Sequence, residues 1–393
     1  MTANATQNGS AGIKALYLAL ELGDTGWKLA FTIGIAQKPR LRSMNARDLP
    51  VLQAEIAKAK KRFGLPADAP VRSCYEAGRD GFWLHRYLCS CGVANSVIDS
   101  ASIEVNRRLR RAKTDRLDAG KLVNLVLRYY HGEEKVWSIV RVPSAAAEDG
   151  RQLHRELESL KDERTEHVNR IKGLLSSQGL AAPKVDKKFA AWLEAARLWD
   201  GSTLCPELQK RLLREQERWQ QVERQIKELE NERRQRIRRD ETPHVEKVRS
   251  LLTLWGLGLN GAWLLVYEMF GWRRFANRKQ VGACVGLTPT PYQSGDSRRE
   301  QGISKAGNRR LRRLMVELAW CWLRWQPDSE LSRWYMRRFG VGNGRSRKIG
   351  VVALARKLLI ALWKYVEQGE VPAGARVATW QGKVKGCPKL SVA

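Results

Sequence analysis

Two carboxylates, Asp115 and Asp118, stand three residues apart directly behind a basic run in RRAKTDRLDAGKLVNL, residues 110–125. On a helix, residues with this spacing share a face about 5–6 Å apart at Cβ, so their charges would repel unless a cation stood between them. Helix capping is the competing interpretation, because Thr114 is a plausible N-cap and Asp115 would gain from the helix dipole. The pair alone favours capping over metal binding.

Two further carboxylates strengthen the metal-binding interpretation. Glu21 lies at the end of the strand-like run LYLALEL, and Glu76 lies near the end of VRSCYEAG. The ends of strands are where α/β domains place functional groups. Four carboxylates from two strand ends and one helix would suit two divalent ions that clamp the attacking and leaving oxygens of a phosphodiester. Glu76 could instead be a surface carboxylate that merely follows a strand.

The segments around these acids predict an α/β domain over residues 1–145. LYLALEL and WKLAFTIG have the pattern of a hairpin joined by GDTG. Residues 48–65 have apolar residues at helical spacing, and VRSCYEAG and VANSVID are short strand-like runs. Strands that alternate with helices are typical of α/β domains.

Residues 146–244 have the pattern of two long helices. Their apolar residues form two stripes: Leu153, Leu157, Leu160, Val168, Ile171 and Leu175, then Leu208, Leu212, Trp219, Val222, Ile226, Leu229 and Ile237. This spacing predicts an antiparallel coiled-coil arm. A self-contained helical bundle with a solvated charged face is an equally good interpretation. Either would hold the two ends of the protein apart or pair two subunits.

Residues 245–372 are rich in Trp and Gly and predict a mostly α-helical domain, followed by a polar, mobile tail over 373–393. The uncharged stretch 250–267 is interrupted by glycines, which favours two short helices around a Gly turn over a membrane span. Such a helical hairpin can present backbone N–H groups to a nucleic-acid phosphate. A purely structural turn remains open.

The charge balance points to a polyanionic partner. The chain has 71 Lys and Arg against 41 Asp and Glu, a net charge of +30. Phosphate contacts would make binding sensitive to salt. Seven cysteines without CxxC spacing and five scattered histidines give no zinc signature and favour reduced thiols in the cytoplasm. We expect a cytoplasmic, nucleoid-associated bacterial protein with no membrane partner.

Several segments together resemble the insertion-sequence-110 family of transposases. YLALELGDTGWKLAF, YEAGRDGFWLHRYL and KTDRLDAGKL resemble that family's RuvC-like (RNase H-like) domain, and LTPTPYQSGDSRREQGISKAGNRRLRRLMV with ALARKLLIALWKYV resembles its C-terminal transposase domain. The combination of KTDRLDA, SG and GISKAGNRRLR is far more specific than any one motif. The resemblance covers most of the chain.

The resemblance assigns roles to the acidic residues and to one serine. It implies that Glu21, Glu76, Asp115 and Asp118 hold Mg²⁺, although the family usually has Asp where this chain has Glu21. Asp24 is the fallback for that place. It also implies that Ser294, which precedes Gly in the C-terminal motif, is the nucleophile, with Ser297 and Ser304 as the competing hydroxyls.

Basic residues near both motifs are the candidates for nucleic-acid contacts. One set precedes the acidic pair and the other surrounds the start of a C-terminal helix: Arg107, Arg108, Arg110, Arg111 and Lys113, then Lys305, Arg309, Arg310, Arg312 and Arg313. A solvated basic loop is the competing interpretation for the first set.

The function implied is that of a DNA recombinase that cuts and rejoins strands at insertion-sequence ends and target. The resemblance further implies a structured bridge RNA that pairs with DNA, and a dimer or tetramer of the chain. One alternative is a RuvC-like nuclease that hydrolyses DNA and makes no use of Ser294. The other is a non-catalytic nucleic-acid-binding protein descended from a transposase, which the departure at Glu21 makes plausible.

Overall fold

A computed structural model describes residues 14–34, 37–78, 81–103, 115–133, 136–294 and 297–379 of the 393-residue chain. For residues 101, 115–118, 292–294 and 297–301 it describes the backbone alone. The chain divides into two compact units, Met1–Pro143 and Ser144–Ala393.

The first unit is built on a five-stranded sheet. Its strands are β1 (Leu16–Leu22), β2 (Gly26–Thr32), β3 (Arg40–Asn45), β4 (Val71–Glu76) and β5 (Ala94–Ile98), in the order β3-β2-β1-β4-β5. Strand β2 is antiparallel to both of its neighbours, β1 and β3, whereas β1, β4 and β5 are parallel. Helices α1 (Leu49–Arg62), α2 (Trp83–Ser90) and α3 (Asp115–Tyr130) complete it. The predicted α/β class is confirmed, and this arrangement is compatible with a RuvC-like fold.

The two faces of the sheet bury two separate cores. Along β1, Leu16, Leu18 and Leu20 face a core shared with α1 and α2, whereas Tyr17 and Ala19 face a core shared with α3. This follows from the two-residue side-chain period of a strand. Strand β1 is apolar on both faces because both are covered.

The second unit begins with α4 (Ala145–Asp149), α5 (Gln152–Ser176), α6 (Phe189–Ala195) and α7 (Pro206–Arg239). Helices α5 and α7 run antiparallel, since Lys161 pairs with Glu230 at 3.0 Å whereas Arg170, farther along α5, pairs with Glu215 at 3.1 Å. The predicted stripes pack together, with Leu157 and Leu160 against Val222 and Ile226. The antiparallel helix pair is therefore present, and its supercoiling stays a prediction.

The rest of the second unit is mostly helical, as expected. It comprises α8 (Pro243–Thr253), α9 (Leu259–Leu265), a π-helical turn (Val266–Phe270), α10 (Arg278–Cys284), α11 (Arg309–Trp325), α12 (Glu330–Phe339) and α13 (Gly344–Gln368). Between α10 and α11 lies an antiparallel hairpin of β6 (Pro289–Ser294) and β7 (Ser297–Ile303), which we name the serine hairpin. Trp263, Met315, Trp322 and Leu358 belong to the core of this region.

The turn between α8 and α9 is covered by the start of the predicted tail. The Trp255 N–H donates to the carbonyl of Arg376 at 3.2 Å, and the Ala378 N–H donates to the carbonyl of Thr253 at 2.8 Å. The Arg376 N–H donates to Gln326 Oε1 at 2.7 Å. These bonds favour a structural role for the turn. They also fix residues 376–378 on the unit, although we expected mobility from residue 373; residues 380–393 lie outside the described part.

No helix in the described part of the chain combines the length and apolarity that a membrane span requires. This agrees with reading residues 250–267 as two helices, since α8 ends at Thr253 and α9 begins at Leu259.

Candidate functional site

Glu21 and Glu76 lie at the carboxyl ends of neighbouring parallel strands. Leu20 on β1 pairs with Tyr75 on β4, and each glutamate is the next residue along its strand. Both belong to the set that faces α3, because Tyr17 and Ala19 on β1 and Cys74 on β4 pack in the α3 core. The two carboxylates therefore share one face and one edge of the sheet.

Helix α3 runs opposite to these strands. Its last residue, Tyr130, packs near the beginning of β1, with its ring centroid 6.1 Å from that of Tyr17. About two turns before Tyr130 in α3, the carbonyl of Leu122 lies 3.9 Å from Cys74 Sγ on β4. As the strands advance toward Glu21 and Glu76, the helix therefore recedes toward its amino end, where Asp115 and Asp118 stand.

The rise per residue brings the helix and strand acids to the same level. From the Cys74–Leu122 contact, Glu76 lies two strand residues further, about 7 Å. Asp118 lies four helical residues from Leu122 in the same direction, about 6 Å, and Asp115 lies about 10 Å away. The backbone thus brings all four predicted acidic positions to one end of the α3 face, while the side chains of residues 115–118 lie outside the description.

This donor set suits a hard divalent cation. Carboxylate oxygens are the ligands that Mg²⁺ prefers, and α3 can bring two more to the edge that already holds Glu21 and Glu76. Burial raises the pKa of the Cys74 thiol, and the charge of Glu76 raises it further, so the charge of this carboxylate acts on the α3 face. Among the side chains that the structure describes, no group of three or more potential metal ligands is found.

Two neighbouring residues bear on whether Glu21 or Asp24 is the metal ligand that the family resemblance implies at this position. Glu21 stands directly opposite Lys28 in the β1–β2 register, which offers a cross-strand charge pair as a structural role. Asp24, the fallback ligand, lies in the following turn, where its carboxylate is 3.6 Å from Arg47 and two-thirds exposed. The geometry favours Glu21 over Asp24, because only Glu21 lies on the strand edge.

The first set of predicted basic contacts lies outside the described residues. Arg107, Arg108, Arg110, Arg111 and Lys113, together with the alternative cap Thr114, fall between residues 104 and 114. Their assignment to a nucleic-acid backbone stays a prediction.

Ser294 is the last residue of β6 in the serine hairpin. It pairs with Ser297 at the start of β7, and residues 295 and 296 between them lie outside the description. Ser304, the third hydroxyl considered, follows β7, and its N–H donates to the carbonyl of Thr288 at 2.8 Å. Ser294 thus lies at the tip of the hairpin, and Ser304 lies at its base. We expected a turn around Ser294 and did not predict the two strands that carry it.

The loop from Ser304 to Asn308 is fixed to the C-terminal end of α10. The N–H of Lys305 donates to the carbonyl of Gly286 at 3.2 Å, and the N–H of Asn308 donates to that of Cys284 at 2.9 Å. Gly307 has a φ of +84°, and a Cβ there would lie 2.3 Å from the Cys284 oxygen, so only glycine fits. Lys305 is exposed beside this loop with a φ of +56°.

The four predicted arginines of α11 differ in their surroundings. Arg309 and Arg313 are exposed, and Arg313 pairs with Glu317 one turn later at 3.0 Å. Arg310 pairs with Glu158 of α5. Arg312 donates to the carbonyls of Val285 and Ala306, which makes it part of the loop's own support. A shared nucleic-acid role fits Arg309 and Arg313 better than Arg312.

A buried carboxylate that we did not predict from the sequence supports the same loop. Glu268 lies on the π-helical turn and accepts hydrogen bonds from His154 at 3.0 Å and from Arg155 at 2.9 and 3.2 Å. Asn308, the N-cap of α11, donates its side-chain amide to the same carboxylate at 3.2 Å. A single acid within the apolar run AWLLVYEMFGW was the signal that could have revealed it.

The partners of Glu268 determine its ionisation. Burial alone would raise the pKa of this carboxyl, but hydrogen bonds from His154 and Arg155, and then the Arg155 charge, outweigh burial and lower the pKa to about 2. The carboxylate is therefore charged in the folded protein, and it joins the start of α5 to the start of α11.

Comparison with known proteins gives concordant matches. Residues 248–333 match the model of the Transposase IS116/IS110/IS902 family. The chain is 40% identical over 377 residues to the Sinorhizobium fredii (strain NBRC 101917 / NGR234) protein named "Putative transposase y4rJ", covering 93% of this chain and 95% of that protein. It is 29% identical over 231 residues to the "Transposase for insertion sequence element IS1328" of Yersinia enterocolitica, covering 56% of this chain and 63% of that protein.

Proposed function

Because the chain belongs to the IS116/IS110/IS902 family of transposases, we propose that it cuts and rejoins DNA at insertion-sequence ends and target by a serine-based transesterification. Membership in this family already implies a DNA-binding, DNA-cutting enzyme.

In this proposal, Glu21, Glu76, Asp115 and Asp118 hold Mg²⁺ at the end of the α3 face. The bound ions would supply charge neutralisation at the scissile phosphate. The observation that carries the proposal is the opposite run of α3 and of β1 and β4, which brings two strand acids and two helix acids to one level. Simple capping would explain Asp115 alone and gives no reason for all four acids to converge.

The second part of the proposal assigns the nucleophile to Ser294. Its Oγ bonds to phosphorus and releases its proton, while the bond from phosphorus to one bridging oxygen breaks; that oxygen takes up a proton and leaves as a DNA hydroxyl. The phosphate is then held as a serine ester, so a second DNA hydroxyl can displace the serine and restore a phosphodiester without ATP. Lys305 and Arg309, close in sequence to the hairpin base, would bind the DNA backbone.

A structured bridge RNA would select the DNA by base pairing, and two or four copies of the chain would assemble on it. The net charge of +30 supports a large polyanion as the partner.

One specific observation favours a second candidate function, that of a binding protein without cleavage activity. Glu21 occupies the place where the family usually has Asp, and it stands opposite Lys28, which could neutralise it. Incubating labelled element-end DNA with the chain, bridge RNA and Mg²⁺ tests the proposal. A covalent protein–DNA adduct that EDTA prevents supports it, whereas binding without any cut strand supports the second candidate.

A further inference from the structure

A second basic feature of the C-terminal unit lies away from the predicted contacts. The guanidinium of Arg273 lies over the indole of Trp272, 4.3 Å from the ring centroid. The guanidinium of Arg151 lies over the same ring, 5.3 Å from its centroid. Two cations thus converge on one ring, with Arg155 nearby. We name Trp272 and Arg273, flanked by Arg151 and Arg155, the Trp272 platform.

The flanking arginines use their hydrogen-bonding groups within the chain. Arg155 gives two N–H groups to Glu268, and Arg151 donates Nε to the carbonyl of Ala147 at 3.1 Å. Arg151 is 92% buried, and burial and then the neighbouring charge of Arg155 lower its pKa. Burial and the neighbouring arginine charge thus both disfavour the charged form of Arg151, while Glu268 and Glu148 favour it.

Arg273 differs from its two neighbours. In the described part of the chain its side chain makes no hydrogen bond or ion pair, and its Nε is buried without a partner. A guanidinium that lies over an indole keeps its N–H groups in its own plane, directed outward from the stack. The terminal N–H groups of Arg273 are not among the buried atoms and have no partner in the described part of the chain, so they can receive a ligand while the ring holds the side chain in place.

The sequence around the platform is suited to an anion. From Met269 to Gly295 the chain has four basic residues, Arg273, Arg274, Arg278 and Lys279, and no acidic residue. Burial raises the pKa of the Cys284 thiol, and the charges of Arg273 and Glu268 lower and raise it respectively, so Cys284 lies near both side chains. The carbonyl of Cys284 accepts a hydrogen bond from the N–H of Asn308, the N-cap of α11. The platform therefore lies beside the base of the serine hairpin.

We propose that the Trp272 platform binds a backbone phosphate of nucleic acid through the guanidinium of Arg273. A phosphodiester provides the planar pair of acceptors that a guanidinium fork matches. This inference rests on the proposed function only in taking nucleic acid as the polyanion; it requires neither a metal nor Ser294. The phosphate could belong to DNA or to RNA, and the test separates these sources.

The test compares the wild type with Arg273→Gln, Arg273→Lys and the control Arg274→Gln. Arg274 is adjacent and exposed, but already pairs with Glu367 at 3.2 Å. Anisotropy would measure the affinity for a short labelled DNA duplex and a labelled single-stranded RNA over a range of KCl, with EDTA present to exclude cleavage. Melting temperatures would be recorded for every variant.

We expect Arg273→Gln to reduce the slope of log K against log salt by about 0.9 for duplex DNA or about 0.7 for single-stranded RNA. Arg274→Gln should reduce this slope by less than half as much as Arg273→Gln does. Arg273→Lys should keep the slope but bind a few-fold more weakly, since a lysine lacks the fork. A loss with only one probe identifies the source of the phosphate.

An unchanged slope with both probes, or equal losses for Arg273→Gln and Arg274→Gln, would overturn the inference. If Arg273→Gln melts too early to be compared, Arg273→Lys decides, because it retains the charge over Trp272. A lysine variant that binds both probes as tightly as the wild type would also overturn it. Failure of the serine chemistry would leave these binding measurements unaffected.

Discussion

Glu21 and Glu76 extend from equivalent positions of two neighbouring parallel strands, each one residue beyond the paired Leu20 and Tyr75. Both face α3, whose amino end holds Asp115 and Asp118. The side chain of Glu21 is one methylene longer than that of an aspartate at the same position.

We predict that Glu21→Asp retains or increases strand cleavage and that Glu21→Ala loses it, because only Glu21 of the two candidates lies on the sheet edge. Cleavage rates on labelled element-end DNA would measure this. Asp24→Ala is the matched control and should cleave like the wild type, since Asp24 is two-thirds exposed beside Arg47. Loss of cleavage in Asp24→Ala, with Glu21→Ala active, would show that Asp24 and not Glu21 is the required ligand.

Asp118→Asn and Asp115→Asn should abolish cleavage while nucleic-acid binding stays nearly unchanged. Without metal, removing one of several close negative charges relieves repulsion, so the melting temperature should stay the same or rise. Addition of Mg²⁺ should stabilise the wild type but not these variants. Asp68→Asn, an exposed acid just before β4, is the control. Cleavage that persists in EDTA would contradict the metal assignment.

The arginines of α11 should separate into two groups. Arg309→Gln with Arg313→Gln should weaken DNA and RNA binding and lower its salt dependence with little loss of stability, because both side chains are exposed. Arg312→Gln should lower the melting temperature, since two carbonyls of the supporting loop lose a donor. Equal effects of both changes on melting would show that the whole helix start is structural.

The pKa of Glu268 predicts a pH dependence of folding. A carboxyl whose pKa falls from 4.5 to about 2 on folding stabilises the folded state above about pH 4.5, and this contribution is lost as the pH falls toward 2. The free energy of unfolding in urea should therefore fall more steeply between about pH 5 and about pH 3 in the wild type than in Glu268→Gln. Equal slopes would contradict an ionised Glu268.

Removing the Glu268 side chain should cost more than neutralising it. Glu268→Ala leaves His154 and Arg155 buried or half-buried without their acceptor, and we expect a loss of about 3–5 kcal/mol in the free energy of unfolding. Denaturant titration at neutral pH would measure it. A loss below about 1 kcal/mol would show that water replaces the carboxylate at little cost.

Local pattern predicted the elements whose side chains face a continuous core. The sequence indicated the strands β1 and β4 because their buried residues follow a strand pattern. It also indicated the apolar stripes of α5 and α7, whose residues recur at alternating spacings of four and three. β3 was missed because this edge strand buries Met44 alone and is otherwise polar or partly exposed. The serine hairpin was missed because Pro289 and Pro291 weaken a strand pattern.

The contacts of the candidate site depended on distant parts of the chain. The sequence indicated four acids, but their common level follows from the reversed run of α3, which the contacts of Tyr130 and Leu122 establish. Glu268 could not be paired in advance, because its partners His154 and Asn308 are 114 and 40 residues away. Likewise, Arg151 and Arg273 lie over the same Trp272 ring although they are far apart in sequence.

The central claim is that Ser294 forms the covalent bond to DNA, and one experiment tests it most directly. Labelled element-end DNA would be incubated with the chain, bridge RNA and Mg²⁺, denatured, and the attached peptide mapped by mass spectrometry. We predict an adduct on Ser294 that Ser294→Ala lowers by roughly 10³-fold or more without loss of binding. Ser297→Ala, across the hairpin from Ser294, should keep it. An adduct on Ser297 or Ser304, or cleaved DNA with no adduct, would contradict the claim.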